Sequence, residues 1–216
     1  KIKEVETVTE VELLAWNDIV VDSMQASIPA SYWLLLRTLW LYLRTGTLWA
    51  LIRLRPAPMI AAFYPVLLLL GQLGLGLLAL WLAVWALGWV GWLVGLAALV
   101  AILVVFRRLD QRIYAYYLLY VYAFSAWHAG GYPANLRVRL EEFKARIAEA
   151  LADGNDEVLI VGHSVGAHLG VEILAEMERE GLLEGNTPLG LLTLGHVVPM
   201  ISYLPKARGL RRNLRA

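Results

Sequence analysis

Val158-Leu159-Ile160-Val161 runs directly into Gly162-His163-Ser164-Val165-Gly166, and a helix-forming stretch follows at once. Four consecutive apolar residues, three of them β-branched, read as a buried central strand, because a strand covered on both faces needs no polar alternation. A G-x-S-x-G pentapeptide between such a strand and a helix is a nucleophile elbow: the flanking glycines permit a tight turn that lifts the serine hydroxyl above the sheet edge. The N-terminus of the following helix adds a partial positive charge and free N–H groups, which places the Val165 N–H to donate to a developing oxyanion. A phosphate-binding turn is the competing reading, and the chain has neither the Lys-Ser/Thr pair nor the G-x-G-x-x-G spacing that it requires.

Outward from the elbow, Ala167 to Glu180 reads as an amphipathic helix closed by Gly181, and Leu189 to Leu194 as a second buried strand. Upstream, Leu136, Leu140, Phe143, Ile147 and Leu151 give Asn135 to Leu151 a helical period, which Asp153-Gly154-Asn155 stops. Glu4 to Leu14 alternates Val5, Val8, Val11 and Leu13 with Glu6, Glu10 and Glu12, the pattern of a half-buried strand ended by Trp16-Asn17-Asp18. Strand, helix, strand, helix, strand predicts the α/β class with a partial doubly wound sheet.

That sheet is interrupted. From Met59 to Phe106 there is no charged side chain and the only amide is Gln72, a run that fits two bilayer-spanning helices of about 20 residues each and a tight turn. The spans are placed near Ile60 to Leu82 and Leu87 to Phe106, with the turn in Trp85 to Gly91. Trp81, Trp85, Trp89 and Trp92 cluster there, as amphipathic rings do at headgroup level. Arg53 and Arg55 precede the first span and Arg107, Arg108 and Arg112 follow the second, so the positive-inside rule puts both ends in the cytoplasm. Gly91 and Gly95 form a small-xxx-small pair, and Gly71, Gly74 and Gly76 thin the first helix. Ile28 to Leu54 is apolar but carries Arg37 and Arg44, with Trp33, Trp40 and Trp49 spaced along it. It reads as one or two interfacial helices, a third span being the alternative. The chain therefore divides into an N-terminal strand region (1–27), interfacial amphipathic helices (28–58), a transmembrane hairpin (59–106), a connecting helix and Gly-rich loop (107–134), and an α/β core with the elbow and a basic tail (135–216).

Composition agrees. Of 216 residues 59% are apolar, and the mean hydropathy of +0.60 excludes disorder and favours a membrane segment. Nineteen basic residues against eighteen acidic ones leave no global basic field, so nucleic acid is not an expected partner; the lipid bilayer is. Charge is blocked: Lys1 to Ala30 holds two basic and six acidic residues, Ser31 to Pro58 four arginines and no acid, and Lys206 to Ala216 five basic residues and no acid. Basic blocks beside apolar sequence are a membrane-surface pattern, and the last of them is either a headgroup contact or a solvated helix. With no cysteine there is neither a disulfide framework nor a thiolate site, and no H-x-x-H or H-E-x-x-H spacing supports a metal. No cofactor is expected.

The elbow Gly162-His163-Ser164-Val165-Gly166 resembles that of the α/β-hydrolase superfamily, specifically the lipase and esterase type that reads Gly-His-Ser-x-Gly. The resemblance is specific over Asp156 to Glu180 and extends loosely to Leu191-Leu192-Thr193-Leu194-Gly195-His196. The chain also resembles a bacterial membrane-anchored branch in which a membrane hairpin interrupts the domain between the strand ending at Trp16 and the elbow strand. The resemblance implies an α/β-hydrolase-like sheet around an inserted hairpin, held at the cytoplasmic face of a bacterial inner membrane. It makes Ser164 the nucleophile, Val165 an oxyanion donor and an ester or thioester, acyl or lipid, the substrate.

The chain departs from that pattern after the serine, where the superfamily supplies an acid and then a histidine on later loops. Glu172, Glu176, Glu178 and Glu180 fall on the elbow helix and Glu184 just after it, none placed as a triad acid. A strand with a second oxyanion donor is missing upstream. Truncation at both ends is the expectation, and a catalytically degenerate hydrolase serving as membrane scaffold or binding protein is the alternative. A serine needs a base to become a useful nucleophile. His196 ends the next strand on the elbow's edge, and His128 sits in a Gly-rich loop where it would line the pocket. His163 belongs to the elbow itself, and His168 lies one turn along the next helix, facing a neighbour or solvent. Asp18 is a candidate to orient a base, or to cap the segment that follows it.

Overall fold

The computed structural model describes residues 7–21, 27–54, 59–60, 62–128 and 132–215. Glu4 to Glu6, Arg55 and Ala129-Gly130-Gly131 lie outside them. In chain order the elements are α1 (Asn17–Val21), α2 (Ile28–Arg44), α3 (Thr47–Leu54), α4 (Tyr64–Leu87), α5 (Val90–Arg108), α6 (Asp110–Ile113), α7 (Ala115–His128), α8 (Ala134–Ala152), β1 (Val158–His163), α9 (Val165–Arg179), β2 (Leu189–Leu194), α10 (Val198–Ser202) and α11 (Arg208–Asn213).

The expected doubly wound sheet is not there. The protein is mostly helical, and the described residues hold one sheet of two parallel strands, with Val158 opposite Leu189 through His163 opposite Leu194. The alternating N-terminal stretch is no strand: residues 7–16 pair with no neighbour, and Val8, Val11 and Leu13 are between 87% and 91% exposed. Alternation makes a strand only where an edge is available to pair with, and here ion pairs hold the segment along α8 instead. Arg146 Nε donates to Glu12 Oε2 at 2.8 Å, and Arg139 Nη1 to the Ala15 carbonyl at 2.6 Å. Trp16-Asn17-Asp18 leads into α1 rather than ending a strand.

A single β-α-β unit therefore remains. On its covered face, α9 packs through Leu169, Ile173 and Met177 on Leu136, Leu140, Phe143 and Ile147 of α8. The other face is bare, leaving Leu159, Val161, Leu192 and Leu194 about half exposed, so neither strand is buried on both faces as its apolar run predicts, and neither is central in a sheet of two.

Helices α4 and α5 form the expected hairpin, long and apolar enough to cross a membrane. At 1.5 Å per residue they run to about 36 Å and 29 Å, against about 30 Å of hydrocarbon. Only 17% and 11% of their most apolar windows are buried, unlike the core helix of a soluble protein. The chain turns at Gly88, φ 59°, whose N–H donates to the Val84 carbonyl at 2.9 Å. A Cβ on Gly91 would lie 2.1 Å from the Ala83 carbonyl oxygen and one on Gly95 2.7 Å from Leu80 Cα, so the small pair does set the close approach. Gly76 also meets its partner helix, at Leu99, whereas Gly71 and Gly74 face open space.

Helix α2 buries Ser31, Leu35, Thr38 and Tyr42 and exposes Trp33, Leu36, Trp40 and Leu43, a clean division into two faces. Its buried face meets α4 and α7: Tyr32 Oη donates to the Leu69 carbonyl at 2.8 Å, and Ser31 Oγ lies 2.8 Å from Tyr120 Oη. Deeper along α4, Gln72 Nε2 donates to Tyr116 Oη at 3.0 Å. The carboxylate of Asp110 accepts from the Tyr116 and Tyr117 N–H groups, anchoring the start of α7 beside the hairpin.

Candidate active site

Ser164 sits between the last residue of β1 and the first of α9 with φ 53° and ψ −115°. A β-carbon there crowds the neighbouring carbonyls, and non-glycine residues persist in such conformations only where the surroundings enforce them. Two features do so. The Ser164 N–H donates to the Leu194 carbonyl at 2.9 Å, tying the elbow to the end of β2. On the preceding residue but one, a Cβ on Gly162 would fall 2.7 Å from Ala167 Cα, so only glycine lets the helix fold back this closely. Gly166 has no such role, since a side chain there would meet nothing within 4 Å.

Val165 anchors the turn from below. Its side chain is 3% exposed among Val20 and Val121, and its N–H, the first of α9, has no carbonyl a turn earlier to bind. That leaves a backbone donor beside the serine at the positive end of the helix.

The histidines separate into two groups. His163 is exposed, opposite Leu194, and its Nε2 approaches to 4.0 Å the place a Cβ on Gly195 would take. His196 is exposed in the loop two residues beyond β2, so both histidines stand at the strand edge that carries Ser164. His128 ends helix α7, where its Nδ1 lies 2.8 Å from the Phe124 carbonyl and its ring 4.4 Å from the Phe124 ring. It is bound to its own helix. Asp18 does not orient a base; it forms a two-point ion pair with Arg139 at 2.9 and 3.2 Å, whose guanidinium holds the carboxyl below its usual range.

His168 and Glu172, one turn apart on α9, are buried to 2% and 6% exposure. Asn213 Nδ2 donates to Glu172 Oε2, and Arg179 Nη1 to Asn213 Oδ1 at 2.8 Å, which links α11 to α9. The Tyr132 ring lies 6.2 Å from that of His168, and Tyr132 Oη, His168 Nδ1 and Glu172 Oε1 are buried with no hydrogen-bond partner among the described residues. Burial keeps His168 neutral, pushing its pKa down to about 4, and drives the Glu172 carboxyl and the Tyr132 hydroxyl up. The spacing of four between His168 and Glu172 was the one sequence signal for this cluster, because it puts both on one helix face. Asn213, distant in the chain, gave none.

A cavity of about 500 Å³, lined in part by Leu151, Leu174, Leu189 and Leu191, opens at the start of β2. It is roughly 17 Å along the strand from the serine edge, too far to receive a group attacked by Ser164. Comparison with known proteins finds no match to a family model, a curated protein or a solved structure.

Proposed function

We propose that this chain is a membrane-anchored serine hydrolase acting on an ester or thioester, with an acyl or lipid group as the substrate class. The observation that carries the reading is the strained Ser164 conformation between β1 and α9, held by the Leu194 carbonyl and by the missing side chain of Gly162. Strain of this kind is retained where it exposes a hydroxyl for attack and places the next N–H toward the oxyanion. In this reading Ser164 is the nucleophile, Val165 N–H the oxyanion donor, and His196 the base candidate from its position at the same edge. His128, committed to Phe124, is a wall residue at most.

The hairpin anchors the site to a bacterial inner membrane from the cytoplasmic side. In sequence Arg53 precedes the hairpin and Arg107, Arg108 and Arg112 follow it, and exposed Trp81, Trp85, Trp89 and Trp92 lie about its turn. Purified protein in lipid nanodiscs, supplied with short and long p-nitrophenyl esters, tests the chemistry. Hydrolysis that falls by several orders of magnitude in Ser164→Ala supports it, and hydrolysis unchanged by that substitution overturns it.

A second reading has its own observation. Among the described residues no carboxylate pairs with any histidine, so nothing orients or charges a base. A non-catalytic membrane scaffold would need no such pair. It would keep its partner contacts in Ser164→Ala.

A further inference from the structure

The short helix α11 carries basic residues on one face and packs at the foot of the hairpin with the other. Leu204, Ala207 and Leu210 are fully buried in a cluster with Met59 and Leu51, against which Ala62 and Phe63, the residues leading into α4, also pack. Arg208, Arg212 and Arg215 follow at spacings of four and three on the opposite, exposed side, with Lys206 exposed just before them. One basic residue of the group is spoken for: Arg211 donates to the Ser202, Leu204 and Pro205 carbonyls and closes the turn after α10. The other four have no ion-pair partner among the described residues. Nor is there an acid from Pro188 to Ala216. Among the described residues the carboxylate hydrogen-bonded to α11 is that of Glu172, which is buried and bound by Asn213. Exposed Tyr203 and Leu214 flank the stripe.

We infer that this face of α11 docks on the anionic phospholipid headgroups of the leaflet at the base of the hairpin. Charge complementarity selects the occupant: three arginines and a lysine with no ion-pair partner among the described residues, on a short helix whose buried face packs with the residues leading into α4, match lipid phosphates, and such attraction acts within the ~8–10 Å screening length. The attraction is one of charge, and the flanking Tyr203 and Leu214 enter the headgroup boundary. The inference rests on the membrane placement of the hairpin and not on Ser164, so its failure leaves the serine chemistry standing.

The chain has no cysteine, so Leu214→Cys gives a single site for an environment-sensitive fluorophore. The labelled full chain is placed in nanodiscs of phosphatidylcholine alone, and of phosphatidylcholine with about 30 mol% phosphatidylglycerol. The expected result is a blue-shifted emission, quenched by spin-labelled lipid, only in the anionic discs and reversed by salt at about 0.5 M. Replacing Arg208, Arg212 and Arg215 by Gln lowers docking by roughly 100-fold, at about fivefold for each arginine, and replacing them by Lys restores it. Equal emission in both discs overturns the inference, as does a Gln triple variant that docks like its parent. A response to inorganic phosphate in neutral discs overturns it in favour of a free-anion site. The lipid and salt arms use the unsubstituted stripe, so they decide the matter even if the Gln variant does not fold.

Discussion

The Ser164 N–H is bound to the Leu194 carbonyl at 2.9 Å, so the end of the second strand fixes the conformation of the residue that follows the first. The serine is held at φ 53° by a neighbour and not by its own preference. Ser164→Gly relieves that strain, and we expect it to stabilise the protein by about 1 kcal/mol after the entropy cost of glycine. Ser164→Ala keeps the β-carbon and gains nothing. Urea unfolding of the two variants side by side measures the difference.

The two glycines of the elbow behave oppositely. Gly162→Ala drives a methyl group to 2.7 Å from Ala167 Cα and is expected to destabilise by about 2 kcal/mol or more, separating helix from strand. Gly166→Ala enters open space in the first turn of α9 and is neutral or stabilising by up to about 1 kcal/mol. Thermal unfolding followed by circular dichroism distinguishes them.

What the sequence made legible was local. The elbow strand, its helix, the second strand, the helix before them and the hairpin all announce themselves through continuous apolar runs or a helical period, and each forms within a residue or a few of its expected position. What failed was the inference from alternation to pairing. Val8, Val11 and Leu13 have the right period, but a strand is a relation between two segments, and Glu12 and Asp18 found Arg146 and Arg139 on α8 instead. The same limit hid the buried cluster at Glu172, whose partner Asn213 lies far along the chain.

Within the hairpin the glycines also divide. Gly91→Ala collides with the Ala83 carbonyl and is expected to splay α4 from α5, lowering the unfolding temperature in detergent. Gly74→Ala meets nothing within 4 Å and leaves that temperature unchanged or slightly raised. Equal effects at the two positions would contradict the packing described for α4 and α5.

His168 sets part of the acid sensitivity. Burial holds its pKa down to about 4 in the fold, against about 6.5 for a solvent-exposed histidine, so the unfolded chain binds the proton more tightly. Stability is therefore full above pH 6.5 and falls as the pH drops toward 4, by about 3 kcal/mol at most. Glu172 opposes this: its raised pKa means the folded state keeps a proton longer, a stabilisation lost as the pH rises through its folded pKa. In His168→Gln the loss of stability between pH 6.5 and 4 should shrink, as read from urea midpoints across that range.

The most direct measurement on the central claim is labelling with a fluorophosphonate, which bonds covalently only to a serine made nucleophilic by its surroundings. The parent protein in nanodiscs should label at neutral pH, with the adduct on the peptide carrying Ser164, and Ser164→Ala should not label. A parent that stays unlabelled, or a Ser164→Ala variant that labels equally, would contradict the assignment of Ser164 as the nucleophile.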